Sequence, residues 1–305
     1  PGSIPGPRIS CLKKMEQQKN WHDRYYKWLL LIPLILLIFS IFYMSAFYSK
    51  NNDFAYKDIS LTGGTSVTIY EKVDILNLEE FLLENLEDVN IREVYDLVTR
   101  EQIALIIETK SDEVEAKKVL EEFLEYELIN GENASFEFTG SSLSESFYKQ
   151  LLIAILFAFI LMAIVVFLIF RIFIPSAAVI IAAFADILMT LTLINILGMK
   201  ISSAGIVAFL MLIGYSVDTD ILLTTRILKR DEGSLNERIY GAFKTGMTMT
   251  LTSLLAIAFA LFVVKSFSIV LTQIFTVLVI GLGFDLLNTW ITNVSILKWY
   301  VEKKE

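Results

Sequence analysis

Six long apolar stretches dominate the pattern of hydrophobic and polar positions along the chain. They cover residues 27–48, 148–170, 174–197, 202–223, 243–264 and 267–297. A helix that spans the bilayer needs about 20 mostly apolar residues, so each stretch predicts one transmembrane helix. The first stretch is longer than the core of a signal peptide, and no small-residue cleavage site follows it. We therefore expect it to anchor the chain in the membrane.

Between the first two spans the pattern changes to short segments with helix and strand periodicity. Strands are predicted at 65–73, 92–98, 102–109 and 135–139, and helices at 76–86 and 112–128, the second capped by Ser111. The order β-α-β-β-α-β is that of a ferredoxin-like domain. The predicted fold class is an all-α six-helix membrane bundle with an extracytoplasmic α+β ferredoxin-like domain.

These elements divide the chain into five segments. They are a cytoplasmic tail at 1–26, the first transmembrane helix at 27–48, the ferredoxin-like domain at 49–147, transmembrane helices two to six within 148–300, and a cytoplasmic tail at 301–305. Residues 1–14 precede Met15, which we expect to be the natural start, and we assign them no function.

Composition and charge indicate a membrane protein that faces two compartments. Apolar residues make up 55% of the chain and the mean hydropathy is +0.59, above the level of water-soluble folds. Residues 50–149 hold 23 Asp and Glu against 9 Lys and Arg, whereas the remainder holds 11 against 17. In the tails and short loops, fifteen Lys and Arg fall on one side of the predicted membrane and two, Lys200 and Lys265, on the other. The positive-inside rule then predicts a multi-pass protein of the cell membrane with both termini in the cytoplasm.

The scarcity of cysteine and histidine excludes several kinds of chemistry. The chain has one cysteine, Cys11, and one histidine, His22. This leaves no disulfide framework, no Ser-His-Asp triad and no common zinc ligand set. A nucleotide-binding loop is also missing, which excludes an ATPase motor within the chain. We expect no cofactor, no metal site, no nucleic-acid partner and no enzymatic activity.

Four carboxylates lie within the predicted spans, at Asp186, Asp218, Asp220 and Asp285. An ionisable group inside a span costs about 2.5–3.5 kcal/mol on insertion scales, and it indicates function by default. A structural hydrogen bond to a neighbouring helix is the alternative for Asp186, and polar packing between helices is the alternative for Asp285. The second half of the sixth span carries three further polar residues, Asn288, Thr289 and Asn293.

Asp218 and Asp220 belong to the same helix but point in different directions. At 100° per residue they lie roughly 200° apart around the helix axis, so they cannot share one face. We expect one of them to face the bundle and the other to meet a second subunit or headgroup water. Arg226 follows within two turns and is predicted to be a local counter-ion, with positive-inside anchoring as the alternative.

Three motifs, in order on the predicted elements, resemble the SecF branch of the SecD/SecF family. The first, Leu61-Thr62-Gly63-Gly64-Thr65, is similar to F-T-G-G-T, and its double glycine predicts a backbone bend that a side chain would obstruct. The second, Ala185-Asp186-Ile187-Leu188-Met189-Thr190, is similar to H-D-V-I-I-T. The third, Gly214-Tyr215-Ser216-Val217-Asp218-Thr219-Asp220-Ile221 followed by Arg226, is similar to G-Y-S-V-N-D-T-I…R in its archaeal form. The resemblance covers about residues 27 to 300.

The resemblance implies a subunit that pairs with a SecD-like six-span protein in a twelve-span complex of the resistance-nodulation-division architecture. Such a complex lies in membrane lipid, assists the Sec translocon and helps to draw secreted preproteins outward, in bacteria with the proton gradient. Asp218 is the first candidate for ion coupling because it belongs to the most specific motif, Asp220 is the second, and Asp186 is their structural companion. The wider set of candidate intramembrane polar residues is Asp218, Asp220, Asp186, Arg226, Asp285 and Thr248.

The chain departs from the bacterial pattern at two positions. Thr219 stands where the bacterial aspartate would fall, and Asp218 and Asp220 flank it. Thr248 replaces the arginine of the fifth span, with Lys244 about one turn earlier as a substitute cation that would have to reach along the helix. Coupling to protons, to sodium or to no ion at all therefore stays open.

Two other classes of protein share parts of this pattern. Half of a resistance-nodulation-division exporter of small molecules or lipids would also have six spans, but such exporters carry two similar halves and larger outer domains. An intramembrane aspartyl protease would use Asp218 together with Gly281-Leu282-Gly283-Phe284-Asp285, where the spacing is one residue longer than a G-x-G-D element.

Overall fold

The computed structural model describes residues 28–96, 99, 101–229, 233–265 and 268–304. The expectations for the amino-terminal tail, including those for Cys11 and His22, lie outside these residues. So does the predicted end of the second strand at Val98.

Six helices of the described chain are long and apolar enough to cross a membrane, as predicted. The first five are α1 (Leu31–Asn51), α5 (Ser141–Phe170), α6 (Phe173–Ile196), α7 (Ser203–Lys229) and α8 (Leu235–Val264). The sixth span joins α9 (Ile269–Leu287), a π-helix (Asn288–Asn293) and α10 (Val294–Lys304). In the bundle, α7 packs against α5, α6, α8 and α9.

Several helices are longer than the apolar stretches that predict them, because the polar residues next to those stretches are helical as well. One such end is the start of α8, where Ser234 and Glu237 form a capping box. The backbone N–H of Ser234 donates to the carboxylate of Glu237 at 2.8 Å, and the backbone N–H of Glu237 donates to the hydroxyl of Ser234 at 3.4 Å. This cap starts α8 about two turns before the predicted fifth span.

An α+β domain occupies the chain between α1 and α5. After the short helix α2 (Ile59–Thr62), its elements are β1 (Gly64–Ile69), α3 (Ile75–Asn85), β2 (Asn90–Tyr95), β3 (Gln102–Thr109), α4 (Glu113–Leu124) and β4 (Ala134–Thr139). The predicted order β-α-β-β-α-β is therefore observed. The four strands form one antiparallel sheet in the order β2-β3-β1-β4, consistent with a ferredoxin-like arrangement.

Alternate side chains of the central strands form the core of this domain. Val67 and Ile69 on β1 and Leu105 and Ile107 on β3 are completely buried, together with Leu78, Leu82 and Leu120 from the two helices. The period of two places these strand residues on the face that the helices cover.

The predicted cap of α4 is corrected by one residue, because the carboxylate of Asp112 accepts the N–H of Glu115 at 2.8 Å and leaves Ser111 outside the helix.

The double glycine turns the backbone sharply between α2 and β1. Gly63 has φ +83° and Gly64 has φ +139°, values that residues with a side chain rarely adopt. A Cβ atom at Gly63 would lie 2.5 Å from the Cα of Ser141, and one at Gly64 would lie 2.3 Å from the carbonyl oxygen of Thr109. The predicted bend is confirmed, and it brings the start of β1 into contact with the start of α5.

A junction connects the α+β domain to the transmembrane helices. It is formed by residues 54–60 and by the loop 200–202 between α6 and α7. The N–H of Ile201 donates to the carbonyl of Tyr56 at 2.6 Å, and the N–H of Asp58 donates to the carbonyl of Ile201 at 3.0 Å. Lys200 forms an ion pair of 2.8 Å with Asp88 of the domain. Backbone hydrogen bonds and an ion pair thus hold the domain to the bundle.

Glu108 on β3 gives the α+β domain a pH-dependent stability. Burial and the neighbouring Asp58 raise the pKa of Glu108, although Arg92 at 3.4 Å and the amide of Asn90 at 2.8 Å oppose them. A carboxyl group whose pKa is higher in the folded state stabilises that state at low pH, and the contribution is lost as the pH rises through the raised pKa.

We therefore predict that mild acidification from neutral pH raises the unfolding temperature of the domain, and that Glu108→Gln removes this rise. The measurement is thermal unfolding of the purified chain at neutral and mildly acidic pH. Glu137→Gln, at an exposed position of the edge strand β4, is the control that should keep the wild-type pH dependence. An unchanged pH dependence in Glu108→Gln would contradict the assignment.

Candidate functional site

The polar residues of α7 are divided between two faces of the helix. Ser216 and Asp220, four residues apart, are completely buried, whereas Asp218 is exposed on the opposite side. Thr219 is also buried and faces α8, where its hydroxyl lies 3.4 Å from that of Thr250. One aspartate of the motif therefore faces the bundle and the other faces away from it, as the spacing predicts.

Asp186 on α6 is completely buried and has a donor on each of its carboxylate oxygens. The hydroxyl of Ser216 donates to Oδ2 at 2.6 Å, and the side-chain amide of Asn288 donates to Oδ1 at 2.7 Å. Hydrogen bonds to the ionised form of a carboxylate stabilise it in a site that water does not reach. Asp186 therefore links α6, α7 and the π-helix of the sixth span.

Asp220 on α7 and Asp285 on α9 lie next to each other and share one hydroxyl group. The hydroxyl of Thr289 is 2.8 Å from Oδ1 of Asp220 and 3.1 Å from Oδ1 of Asp285. The side-chain amide of Asn293 donates to the same oxygen of Asp220 at 2.7 Å. All four residues are completely buried. The three inward carboxylates, Asp186, Asp220 and Asp285, are called the carboxylate cluster below.

The side-chain hydrogen-bond donors of the π-helix contact two different neighbouring helices. Asn288 contacts Asp186 on α6, whereas Thr289 and Asn293 contact Asp220 on α7. π-helical turns are rare and occur frequently at functional sites. The widened turn lets adjacent residues of one helix reach carboxylates on two different neighbours.

The carboxylate cluster contains more acceptor oxygens than donors. Two of its buried oxygens, Oδ2 of Asp220 and Oδ2 of Asp285, have no hydrogen-bond partner among the described protein atoms, and neither has Oδ1 of the adjacent Asn293. Within the part of the chain that the structure describes, the three aspartates form no ion pair with lysine or arginine. Buried charge without a partner is strongly unfavourable, which makes the carboxylate cluster the candidate site for a proton or a small cation.

The other predicted candidates lie apart from the carboxylate cluster. Arg226 donates a hydrogen bond to the carbonyl of Gly241 on α8, where a counter-ion contact was expected. Thr248 is exposed, and its hydroxyl bonds to the carbonyl of Lys244 at 2.7 Å within the same helix. The side chain of Lys244 is exposed as well, and it forms no ion pair with the cluster. Of the two aspartates of the motif, Asp220 is therefore the one that belongs to the buried site, and Asp218 lies outside it.

Ser216 is the residue of the site to which sequence reasoning assigned no role. It stands four residues before Asp220, a spacing that places both on one face of a helix. That spacing could have indicated a role for Ser216. However, serine is common in membrane helices, and the contact of Ser216 with Asp186 on α6 depends on how the helices pack.

The motif residues of the α+β domain have a separate, structural role. The hydroxyl of Thr65 donates to the carbonyl of Ser111 at 2.8 Å, and that of Thr62 lies 3.2 Å from the carbonyl of Asp58. Gly63 and Gly64 line a cavity together with Phe138 of β4. These contacts fix the entry of the chain into the sheet. Among the described residues, no group of three or more His, Cys, Asp or Glu side chains has the geometry of a metal site.

Six spanning helices with a buried polar centre, and one α+β domain between the first and second, define a polytopic membrane protein. Comparison with known proteins identifies the family. The sequence model for the protein export membrane protein SecD/SecF, C-terminal, matches residues 118–303. The chain belongs to the SecD/SecF family.

The relatives of this chain include archaeal proteins of similar length. It is 42% identical over 282 residues to the protein-export membrane protein SecF of Methanocaldococcus jannaschii, covering 90% of this chain and 96% of the relative. It is 38% identical to the SecF of Methanothermobacter thermautotrophicus over 283 residues, which is 91% of this chain and 93% of the relative.

Two solved structures share the fold. The crystal structure of SecDF, a translocon-associated membrane protein from Thermus thermophilus, matches with a TM-score of 0.69 at 20% identity, over 93% of this chain. A second structure, of SecDF in the super-membrane-facing form, matches with a TM-score of 0.59 over 90% of this chain. The chain spans 39% of the length of the first SecDF chain and 38% of the second.

Proposed function

We propose that this chain is the SecF-type subunit of a complex that assists Sec-dependent protein export, and that it works beside a SecD-related subunit with six spans. The archaeal SecF relatives, which it matches over nearly their whole length, support the subunit assignment. The SecDF comparison supports the partnership, because this chain accounts for 39% of the SecDF chain and leaves room there for a second unit of similar size. The further partners of the complex are the Sec translocon, secreted preproteins and membrane lipid.

The observation that carries the partnership is the exposed face of α7. Asp218 lies on that face within a spanning helix, and lipid cannot satisfy a carboxylate there. Gly214 is one turn earlier, and a Cβ atom at that position would meet nothing within 4 Å. A small residue next to a polar one is typical of a surface where another helix approaches closely. A second protein therefore covers this face.

Co-purification of the tagged chain from its membrane in mild detergent tests this proposal. We expect a second polytopic protein with six spans to be retained. Gly214→Trp should reduce its amount several-fold, because the large side chain fills the space that the partner helix needs. Leu161→Trp, at a 59% exposed position of α5, is the matched control and should retain the partner. Purification of the wild-type chain alone, or equal retention by Gly214→Trp, would contradict the proposal.

The proposal also includes the orientation of the chain in the membrane and an ion gradient as the energy source. The fifteen to two distribution of Lys and Arg supports cytoplasmic termini, with the α+β domain on the opposite side of the membrane. The surplus of buried acceptor oxygens in the carboxylate cluster supports coupling of export to an ion gradient, with Asp220 as the central residue. Asp186 and Asp285 complete the cluster, and Asp218 belongs to the subunit interface.

A further inference from the structure

We propose that a cavity below the junction is a binding site for one hydrocarbon chain of a membrane lipid. The cavity has a volume of about 150 Å³ and lies between α5, α6 and α7. Residues 53–57, which follow α1, cover its upper end and are called the roof below. The proposed lipid site lies outside the carboxylate cluster and does not depend on the export role.

The walls of the cavity are apolar and come from three spanning helices. They are formed by Leu152 and Ile155 of α5, Ile187 and Leu191 of α6, and Ile206 and Phe209 of α7. Among the described residues that line the cavity, polar side chains occur only at its upper edge, at Lys57 and Tyr148. A cavity of this size with an apolar lining stays dry and takes up small apolar molecules. A segment of hydrocarbon is therefore the chemistry that fits.

The roof is held by hydrogen bonds from all three sides. The side-chain amide of Asn195 on α6 donates to the carbonyl of Phe54 at 2.8 Å. The hydroxyl of Tyr148 on α5 donates to Asp53 at 2.5 Å. On the side of α7, the backbone N–H of Ile201 donates to the roof in the junction. The upper end of the cavity is thus closed by a bonded segment, and its shape is set before a ligand enters.

The polar groups at the upper edge bond to each other. The ammonium group of Lys57 pairs with the carboxylate of Asp53 at 2.6 Å and lies 4.7 Å from the ring centroid of Tyr148. The hydroxyl of Tyr148 is bonded to the same carboxylate. A buried water needs about two to four polar partners, and the side chains of the walls below this edge offer none. The interior of the cavity therefore accepts apolar groups only.

The depth of the cavity corresponds to the hydrocarbon region of one leaflet. Tyrosine rings and lysine ammonium groups prefer the membrane interface, so Tyr148 and Lys57 indicate the level of the headgroups next to the α+β domain. Ile155 follows Tyr148 by about two turns of α5, or roughly 10 Å. The hydrocarbon of one leaflet is about 15 Å thick. The walls therefore lie at the depth of the lipid chains.

The entrance to the cavity lies between α5 and α6. The back wall on α7 is buried, since Ile206 and Phe209 are each 4% exposed. The side chains on the two front helices, Leu152 and Ile155 of α5 and Leu191 of α6, are half-buried. An occupant that is already in the bilayer reaches this entrance without passing the roof.

Further from the α+β domain, α5 and α6 pack against each other. The rings of Phe159 on α5 and Phe184 on α6 have centroids 6.3 Å apart, and Val166 packs with Val179 in a buried cluster. The cavity thus separates the two helices only in the half that supports the roof. A void in this wall loses dispersion contacts, and a lipid chain that enters it restores them.

Photolabelling with a lipid tests the proposed site. The full chain is reconstituted in vesicles of dioleoylphosphatidylglycerol that contain a phospholipid with a diazirine on its acyl chain. It is then extracted in mild detergent, washed and irradiated, so that label marks the lipid that the protein retains. We expect mass spectrometry to find adducts on residues 148–155 of α5 and 187–191 of α6.

Ile155→Trp should reduce these adducts several-fold, because the larger side chain fills the cavity. Leu191→Phe, which fills it from the side of α6, should act in the same direction. Leu156→Trp is the matched control, since Leu156 is the next residue of α5, is 58% exposed and does not line the cavity. We expect it to be labelled like the wild type.

Thermal unfolding in detergent provides a second measurement that also reports on folding. Added phospholipid should raise the unfolding temperature of the wild type and of Leu156→Trp. Ile155→Trp and Leu191→Phe should still unfold cooperatively, with a clearly smaller rise.

Three results would overturn the inference. The first is label that spreads evenly over the lipid-facing helices, for example to Phe259 on α8, because it would show surrounding lipid only. The second is unchanged labelling in both cooperatively folded filling variants. The third is loss of the label when a preprotein is added, with crosslinks of the preprotein to the same walls, because the occupant would then be a client segment.

Discussion

Asp220→Asn should abolish the stimulation of protein export while the complex stays assembled. Asn has the size of Asp and can hydrogen-bond to Thr289, but it cannot bind and release a proton. Asp220 is completely buried at the centre of the carboxylate cluster, so no other group of the described chain takes over its position. A coupled complex would then behave in export as if the subunit were missing.

The assay is preprotein export in cells that carry the variant at matched abundance, with partner retention measured in parallel. Glu137→Gln is the control, because its side chain lies at an exposed position of β4, outside the bundle and away from the cluster. We expect it to keep export close to the wild-type level. Wild-type export in Asp220→Asn would leave a scaffold role for the subunit, and loss of the partner in that variant would indicate a folding defect instead.

The junction connects the helices that carry the carboxylate cluster to the α+β domain. The loop 200–202 lies between α6 and α7, and α9 is bonded to it. Gln273 on α9 donates to the carbonyl of Lys200 at 2.5 Å and accepts the N–H of Ser202 at 3.1 Å. The same loop is bonded to Tyr56 and Asp58 at the entrance to the domain. A shift of α9 relative to α7 would therefore move the contact on which the domain rests.

The sequence predicts the spans and the sheet better than it predicts the site. Length and hydropathy are enough for six helices, because the bilayer requires long apolar segments. The β-branched and alternating pattern places β3 at the predicted residues 102–109. The helical angle also separates Asp218 from Asp220, but both faces of α7 contain apolar residues, so only the packing of neighbouring helices decides which one is buried.

Two features of the site depend on contacts that no local pattern contains. The π-helix forms where Asn288 and Thr289 bond to different helices, so it depends on partners that are distant in sequence. The expectation that Arg226 is a counter-ion took only its own helix into account. In the structure Arg226 donates a hydrogen bond to the carbonyl of Gly241 on α8, because the end of α7 lies against the start of α8.

Gly64→Ala should strongly destabilise the α+β domain. The backbone at Gly64, with φ +139°, is one that alanine rarely adopts, and the new Cβ atom would lie 2.3 Å from the carbonyl oxygen of Thr109. Backbone strain costs about 1–3 kcal/mol and overpacking about 1–3 kcal/mol, against a total stability of about 5–15 kcal/mol for a typical domain. We therefore expect a clearly lower unfolding temperature and reduced cellular abundance.

Alanine substitutions at two other glycines distinguish the cost of backbone strain from the cost of overpacking. Gly131 has φ +86° but nothing within 4 Å of a new Cβ atom, so Gly131→Ala should show the backbone strain alone. Gly140 has φ −65° and equally open surroundings, so Gly140→Ala should lose about 1 kcal/mol or less as a change of helix cap. Thermal unfolding of the three variants should place Gly140→Ala nearest to wild type, Gly131→Ala next and Gly64→Ala last. If Gly64→Ala unfolds no earlier than Gly131→Ala, the close approach of β1 to Thr109 does not contribute, and the double glycine serves the bend alone.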